Sequence, residues 1–163
     1  MMDWRVRSPE EAALLNPAFC AVLLACCAHD YAREANRPLP FVLAFLALPI
    51  VLHKPTRDRL PRRKDSSMTT WMEQDSSARI GFVERARSLV PLVREAILFG
   101  AQHGHLTLNG EGALSSNSRL SSSSLDATTE ESRECFLKAH FVGRWFAATG
   151  SSATAMSVWG VVP

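Results

Sequence analysis

The sequence predicts a mainly α-helical, compact domain that carries one small β-hairpin. Apolar residues recur at helical spacing over most of the chain, and Pro, Ser or Asn residues stand where several of these stretches begin. The spacing changes to alternation only near residues 106–114. A length of 163 residues fits one domain, so we assign residues 1–163 to a single helical domain.

The first third of the chain contains the strongest helix-start signals. Residues 8–11, Ser-Pro-Glu-Glu, combine an N-cap, a proline suited to the first helical position and a Glu three residues after the cap. Asn16-Pro17 restarts the helix, which we expect to run to about Ala35. A second, almost wholly apolar helix is expected over residues 41–48, with a kink at Pro49.

The apolar run at residues 41–52 is too short to cross a membrane. As a helix it would span about 18 Å, whereas the hydrocarbon core measures ~30 Å. The N-terminus lacks the apolar core of a signal peptide. The four cysteines (Cys20, Cys26, Cys27 and Cys135) lack the spacing of a zinc site or a disulfide framework. We therefore predict a cytoplasmic protein with buried, reduced thiols and no membrane partner.

Three helices and a hairpin are expected in the middle of the chain. The first covers Ser67–Gln74, the second residues 80–90, and the third begins at Pro91 and ends at Gly104. Residues 106–108 and 113–114 then read as two strands joined at Asn109-Gly110, which is a strong signal for a tight turn. A helix followed directly by a hairpin is typical of a winged-helix motif, although hairpins occur on many other scaffolds.

The last third is predicted to be a flexible loop followed by one long helix. Residues 115–127 are expected to form this loop, because residues 115–124 are rich in serine and carry no large core residue except Leu120. The helix over residues 129–149 is apolar on two faces, so it lies either at the centre of the core or against a partner. The apolar end of the chain, residues 158–163, is predicted to be docked on the fold.

Residues 53–64, which we call the basic segment, hold the densest charge in the sequence. Six basic side chains against Asp58 give this segment a net charge of about +5, whereas the whole chain has a formal charge of +2. We expect a surface loop, because Pro55 and Pro61 oppose a long helix. Its charge suits DNA phosphates or an acidic partner, and a merely solvated loop is the plainer alternative. The candidate contact residues are Lys54, Arg57, Arg59, Arg62, Arg63 and Lys64.

Three aromatic residues near the C-terminus are candidates for a partner interface. Phe141, Trp145 and Trp159 belong to residue types that are enriched at binding hot spots. Packing in the core is the commoner fate of each such residue taken alone.

The sequence shows no arrangement that predicts catalysis, a cofactor or a metal. It contains no nucleotide-binding glycine loop and no nucleophile elbow. His103 and His105 would supply only half of a metal site. We therefore expect a protein that is not an enzyme, with no catalytic, cofactor-binding or metal-ligating residues.

Several strings of residues, taken in their order along the chain, resemble a known bacterial family. They are residues 14–19 (LLNPAF), 52–57 (LHKPTR), 81–91 (GFVERARSLVP), 94–99 (REAILF), 141–146 (FVGRWF) and 159–161 (WGV). The chain resembles the small middle component of three-component ABC systems, the group to which Lamassu-type defence belongs. The resemblance extends from about residue 8 to residue 163 and is weakest in the serine-rich loop.

The resemblance implies a non-catalytic adaptor between an SMC-like ABC ATPase and an effector, commonly a nuclease. Such a subunit would help to hold the effector inactive and would take part in the response to phage or plasmid DNA. The family offers no catalytic motif to carry over. The alternative from the residues themselves is a stand-alone winged-helix regulator that binds DNA, based on the helix–hairpin pattern and the basic segment.

Overall fold

A computed structural model describes residues 15–117 and 129–162 of the chain. Within these residues the architecture is helical with a small antiparallel sheet, as predicted. In chain order the elements are α1 (Pro17–Ala35), β1 (Leu39–Pro40), α2 (Ala44–Leu52), α3 (Lys54–Arg59), α4 (Met68–Gln74), α5 (Phe82–Gln102), β2 (Leu106–Leu108), β3 (Ala113–Ser116), α6 (Glu130–Thr149) and α7 (Ser152–Val158). Single 3₁₀ turns at Phe41–Leu43 and Ser76–Arg79 precede α2 and α5. The helix start predicted at residues 8–11 and most of the serine-rich loop lie outside the described residues.

Helix α1 begins and ends where the sequence predicts. The side chain of Asn16 accepts a hydrogen bond from the backbone N–H of Ala18 at 2.8 Å, and Pro17 occupies the first turn, where no intrahelical donor is needed. The helix ends at Asn36, whose left-handed backbone (φ 54°) suits asparagine better than most residues. Most of α1 is buried, which makes it one of the two central helices.

The basic segment is not the loop that the sequence predicted. Its first half folds as the short helix α3, with Pro55 in the first turn, where a missing N–H costs nothing. His53 and residues 60–64 lack regular structure. The two prolines prevented a long helix, as expected, but a six-residue helix forms with Pro55 in its first turn and ends before Pro61.

Pro91 does not begin a new helix. Helix α5 runs without interruption from Phe82 to Gln102 and contains Pro91 in its interior. Pro91 is exposed, so the carbonyl that loses its intrahelical partner lies near solvent. The continuous helix places Arg87 and Arg94, two turns apart, on the same outer face.

The hairpin forms at the predicted place, with a different turn and one additional strand. Residues 109–112 connect β2 to β3, and the positive φ falls on Gly112 (74°) instead of on Asn109 and Gly110. The side chain of Asn109 accepts hydrogen bonds from the backbone N–H groups of Glu111 and Ala113, which closes this wider loop. Strand β1 pairs with β3, giving the sheet order β1-β3-β2. In chain order, α1 and β1 are followed by four further helices and then by the β2–β3 hairpin.

Helix α6 lies at the centre of the core and packs most extensively against α1. The two-faced apolar pattern therefore reflects burial of most apolar residues between Cys135 and Phe146, although Leu137 is 56% exposed. Chain packing continues through α7 to Trp159, whose side chain is fully buried, and Val161 also packs against the core. The predicted docking of the apolar end is therefore confirmed as far as Val161, whereas Val162 is 87% exposed. No helix in the described parts of the chain is long and apolar enough to span a bilayer.

Candidate functional site

Arg57 of the basic segment is completely buried, with 0% of its side chain exposed. Its Nη1 donates to the carbonyl oxygen of Val51 at 2.7 Å, and its Nη2 donates to Glu131 Oε1 at 3.1 Å. A second carboxylate oxygen, on Glu134, lies 3.7 Å from Nη2. The prediction that Arg57 contacts DNA or a partner is therefore wrong for this fold, because the guanidinium instead joins α3 to the first turn of α6.

Most of the remaining basic side chains of this segment are exposed but face carboxylates of the same chain. The pairs are Lys54 with Asp58 (3.0 Å), Arg59 with Asp75 (3.8 Å), Arg63 with Asp65 (2.8 Å) and Lys64 with Glu34. Arg62 is exposed and makes no hydrogen bond or ion pair within residues 15–117 and 129–162. Residues 53–64 have a net charge of about +5 when their side chains are counted from the sequence. In the folded chain, neighbouring carboxylates largely balance this charge.

The three candidate interface aromatics are internal. Trp145 and Trp159 have no exposed surface, and Phe141 is also buried. Trp145 donates from Nε1 to the carbonyl oxygen of Ser66 at 2.7 Å, and its ring packs edge-on against Trp71 at a centroid distance of 5.2 Å. The prediction of a partner interface at these residues is corrected, because their surface is already covered by the chain itself.

A buried carboxylate with three cationic or imidazole partners is the site that the sequence did not reveal. Asp30 of α1 lies 3.0 Å from His29 Nδ1 and 3.1 Å from His140 Nδ1, and its second oxygen accepts a hydrogen bond from Arg144. Burial raises the pKa of this carboxyl, but hydrogen bonds from His140, His29 and Arg144 outweigh burial and hold it well below its usual range. The cluster joins α1 to α6. The only sign of this cluster in the sequence was one acidic residue, Asp30, near the end of the apolar stripe of α1.

The outer face of α5 presents basic and apolar side chains together. Arg87 and Arg94 are exposed and make no ion pair within the described part of the chain. Leu98, one turn after Arg94, is 61% exposed. An exposed leucine beside two uncommitted arginines has the composition of a protein-interface patch, since arginine is enriched and lysine depleted at such surfaces.

Among residues 15–117 and 129–162, no group of three or more His, Cys, Asp or Glu side chains has an arrangement that could hold a metal ion. His103 stacks on Phe99 at a centroid distance of 3.9 Å, and its Nδ1 lies 2.9 Å from the carbonyl oxygen of the same residue. These two contacts give His103 a structural role at the C-terminal end of α5.

Comparison with known proteins identifies the family. The family model described as ABC-three component (ABC-3C) system Middle Component 3 matches residues 4–163, which is nearly the whole chain. The chain belongs to this family. No curated protein and no solved structure matches it. The predicted resemblance to a middle component of three-component ABC systems is confirmed at this level, and the other components of such a system are its partners.

The thiols of this middle component are placed where nucleophilic chemistry is suppressed. All four cysteines are buried and none forms a disulfide, as predicted. Burial raises the pKa of Cys20 and Cys26 to about 12 and that of Cys135 to about 11. Burial, reinforced by Cys26 and Asp30, also raises the pKa of Cys27. Only the thiolate reacts, so these side chains are structural.

We expect the four thiols to resist modification in the native protein. A water-soluble aromatic disulfide reagent at pH 8 should react with none of them on the timescale on which it labels free cysteine, because thiolate and access are both lacking. All four should react once the chain is unfolded in guanidinium chloride. The absorbance of the aromatic thiolate released from the reagent measures the labelling rate in the folded and in the unfolded chain. Rapid labelling of any cysteine in the folded protein would contradict the burial described above.

Proposed function

We propose that this middle component is a non-catalytic adaptor that bridges an SMC-like ABC ATPase and an effector, commonly a nuclease. In this role it helps to regulate activation of the effector on foreign DNA in the cytoplasm, as in Lamassu-type defence. The single observation that carries the proposal is the family match over residues 4–163, because the family is defined by its place between other components and not by a reaction. The inert thiols are consistent with an adaptor.

A bridging subunit needs two separate surfaces, and the structure offers two candidates. The first is the exposed part of the basic segment, which keeps Lys54, Arg59, Arg62, Arg63 and Lys64 as candidate contacts with DNA or a partner. The second is the outer face of α5, with its uncommitted arginines and exposed leucine. Neither surface includes the buried aromatic residues, so we propose that the partner contacts lie on these two exposed faces.

Co-expression of the chain with the other components of its system tests the adaptor proposal. We expect the wild-type chain to co-elute with the ATPase and the effector in one complex. Reversing both charges at the most exposed corner of the basic segment, Arg62→Glu with Arg63→Glu, should weaken DNA binding by that complex about tenfold or more at moderate salt, because two phosphate contacts are lost. The matched variant is Arg87→Glu with Arg94→Glu on α5.

The outcomes separate the two parts of the proposal. A chain that associates with neither other component would refute the adaptor role. An intact complex whose DNA binding is unaffected by the Arg62 and Arg63 reversal, but lost on reversal of Arg87 and Arg94, would move the DNA contact to α5. Loss of complex assembly in either variant would assign that surface to a protein partner.

A stand-alone, DNA-binding winged-helix regulator is the second candidate function. It is favoured by the β2–β3 hairpin and by the single long helix that aligns Arg87 with Arg94 before the hairpin. An isolated chain with this function should bind duplex DNA with an affinity that falls steeply as salt increases. Fluorescence anisotropy at two salt concentrations distinguishes it from the adaptor, for which the isolated chain should bind weakly.

A further inference from the structure

Basic side chains from two helices meet around the hydroxyl group of Thr56. His53 Nδ1 lies 2.7 Å from Thr56 Oγ1, and Arg85 Nη2 of α5 donates to the same oxygen over 3.4 Å. Arg57 follows in α3 and is fully buried. We call these four residues the Thr56 corner. The Arg85 guanidinium and the His53 imidazole therefore both contact a single buried hydroxyl.

The charge of Arg85 is not balanced by any carboxylate in the described parts of the chain. Its guanidinium instead lies over the ring of Phe82, with Cζ 5.4 Å from the centroid. Its half-buried position lowers the pKa of Arg85, and burial is the only cause. A partly desolvated cation is normally paired, because leaving it without an anion costs free energy.

The nearby carboxylates belong to the other side of α3. Asp58 pairs with Lys54, and Glu131 and Glu134 lie within 4 Å of Arg57, with Glu134 also 3.7 Å from Lys54. These groups balance the charges at the junction of α3 and α6. They do not balance the charge that Arg85 brings from α5.

The positive charge around Thr56 also affects the pKa of the His53 imidazole. Burial lowers its pKa, and the positive charges of Arg85 and Arg57 lower it further. In addition, the Nε–H groups of Arg57 and Arg85 are buried and have no hydrogen-bond partner within the described residues. Buried donors are rarely left without an acceptor in native proteins, so each calls for an explanation.

We propose that the Thr56 corner binds a phosphate group, either free or as the monoester of a small ligand. With the His53 ring protonated, Nδ1–H donates to Thr56 Oγ1. A tetrahedral dianion can then accept hydrogen bonds from His53 Nε2–H, the Thr56 hydroxyl and the Arg85 fork, whereas a carboxylate has only two oxygens in one plane. Guanidinium groups suit this geometry better than ammonium groups do. The proposal goes beyond the adaptor function and does not depend on it, because the isolated chain contains all the groups.

Titration of the His53 ring by NMR in the purified chain tests the site. Inorganic phosphate is added against chloride at constant ionic strength. We expect a saturable shift of the His53 signals and a rise in the pKa of His53, because a bound anion offsets Arg85 and Arg57. A second arm with AMP shows whether the site accepts an ester. A response to both indicates a site open to phosphate monoesters, and a response to phosphate alone a site for the free ion. No saturable response to either would overturn the proposal.

Arg85→Met removes the uncompensated guanidinium while keeping a similar apolar length. We expect it to weaken phosphate binding about tenfold or more, since a charged hydrogen-bond donor is lost. The control is Arg33→Met in the last turn of α1, which removes an exposed arginine that belongs neither to the Thr56 corner nor to either proposed partner surface and should leave phosphate binding unchanged. Equal phosphate binding by the two variants would refute the site. If Arg85→Met does not fold, as judged by thermal unfolding, the half-buried His53→Gln takes its place, with ³¹P line width as the readout and the same weakening expected.

Discussion

Gly143→Ala should destabilise the fold by about 3 kcal/mol or more. A methyl group at this position of α6 would lie 2.2 Å from the carbonyl oxygen of Cys27 and 3.0 Å from its carbonyl carbon. Both atoms belong to the backbone of α1, so relief requires the two central helices to move apart. Replacing a mid-helix glycine by alanine normally favours the helix by about 1 kcal/mol. That gain is too small to offset the separation of the most extensively packed helix pair.

The control for this substitution is Gly110→Ala in the loop between β2 and β3. Gly110 has open space around the position of a new methyl group and no positive φ, so its free energy of unfolding should change by less than about 0.5 kcal/mol. Denaturant titration followed by circular dichroism measures both variants. A Gly143→Ala midpoint equal to that of the wild type would show that α1 and α6 do not cross as closely as described.

Replacing the buried carboxylate in Asp30→Asn should cost about 2–4 kcal/mol at pH 7. The amide keeps the shape of the side chain but loses the charge that accepts hydrogen bonds from His140, His29 and Arg144. The NH₂ group of the amide is itself a hydrogen-bond donor, so it would face a donor group of His140, His29 or Arg144 with no acceptor between them. The matched control, Asp58→Asn, breaks the exposed pair with Lys54, which is worth less than about 1 kcal/mol.

The contribution of Asp30 should depend on pH with a definite sign. Because its folded-state pKa is held below the unfolded value, its stabilisation is fully present above the unfolded pKa of about 3.9 and is lost as the pH falls toward the folded value. The difference in unfolding free energy between wild type and Asp30→Asn should therefore shrink as the pH falls below about 5. A difference that does not shrink between about pH 5 and pH 2 would contradict the described pairing.

Local sequence signals predicted the helix ends that depend on one or two residues. Asn16-Pro17 starts α1, Ser67 caps α4 through the backbone N–H of Thr70, and Thr129 caps α6 through that of Ser132. These contacts form between residues two or three positions apart, so the sequence carries them completely. Strand β1 was missed for the opposite reason. It contains two residues and exists only because β3, more than seventy positions later, pairs with it.

The candidate site residues show the same limit more strongly. The sequence records that residues 53–64 are basic, but it cannot say that Glu34 and Asp75 lie beside Lys64 and Arg59. It likewise marks Trp145 and Trp159 as large aromatic residues without saying whether a partner or the chain itself covers them. Each answer depends on contacts between residues far apart in the chain, for which neither periodicity nor composition contains a signal.

The helical class, the place of the hairpin, the buried thiols and membership of the middle-component family could all be predicted from the amino-acid sequence. These properties follow from local backbone preferences, apolar periodicity and the order of short strings along the chain. Which charges are free to meet a partner, in contrast, depends on the tertiary structure. It buried Arg57, paired most of the basic segment, enclosed Asp30 and left Arg62, Arg85, Arg87 and Arg94 without carboxylates in the described residues. The reason is that the availability of a charge depends on its desolvation and its nearest opposite charge, and folding sets both.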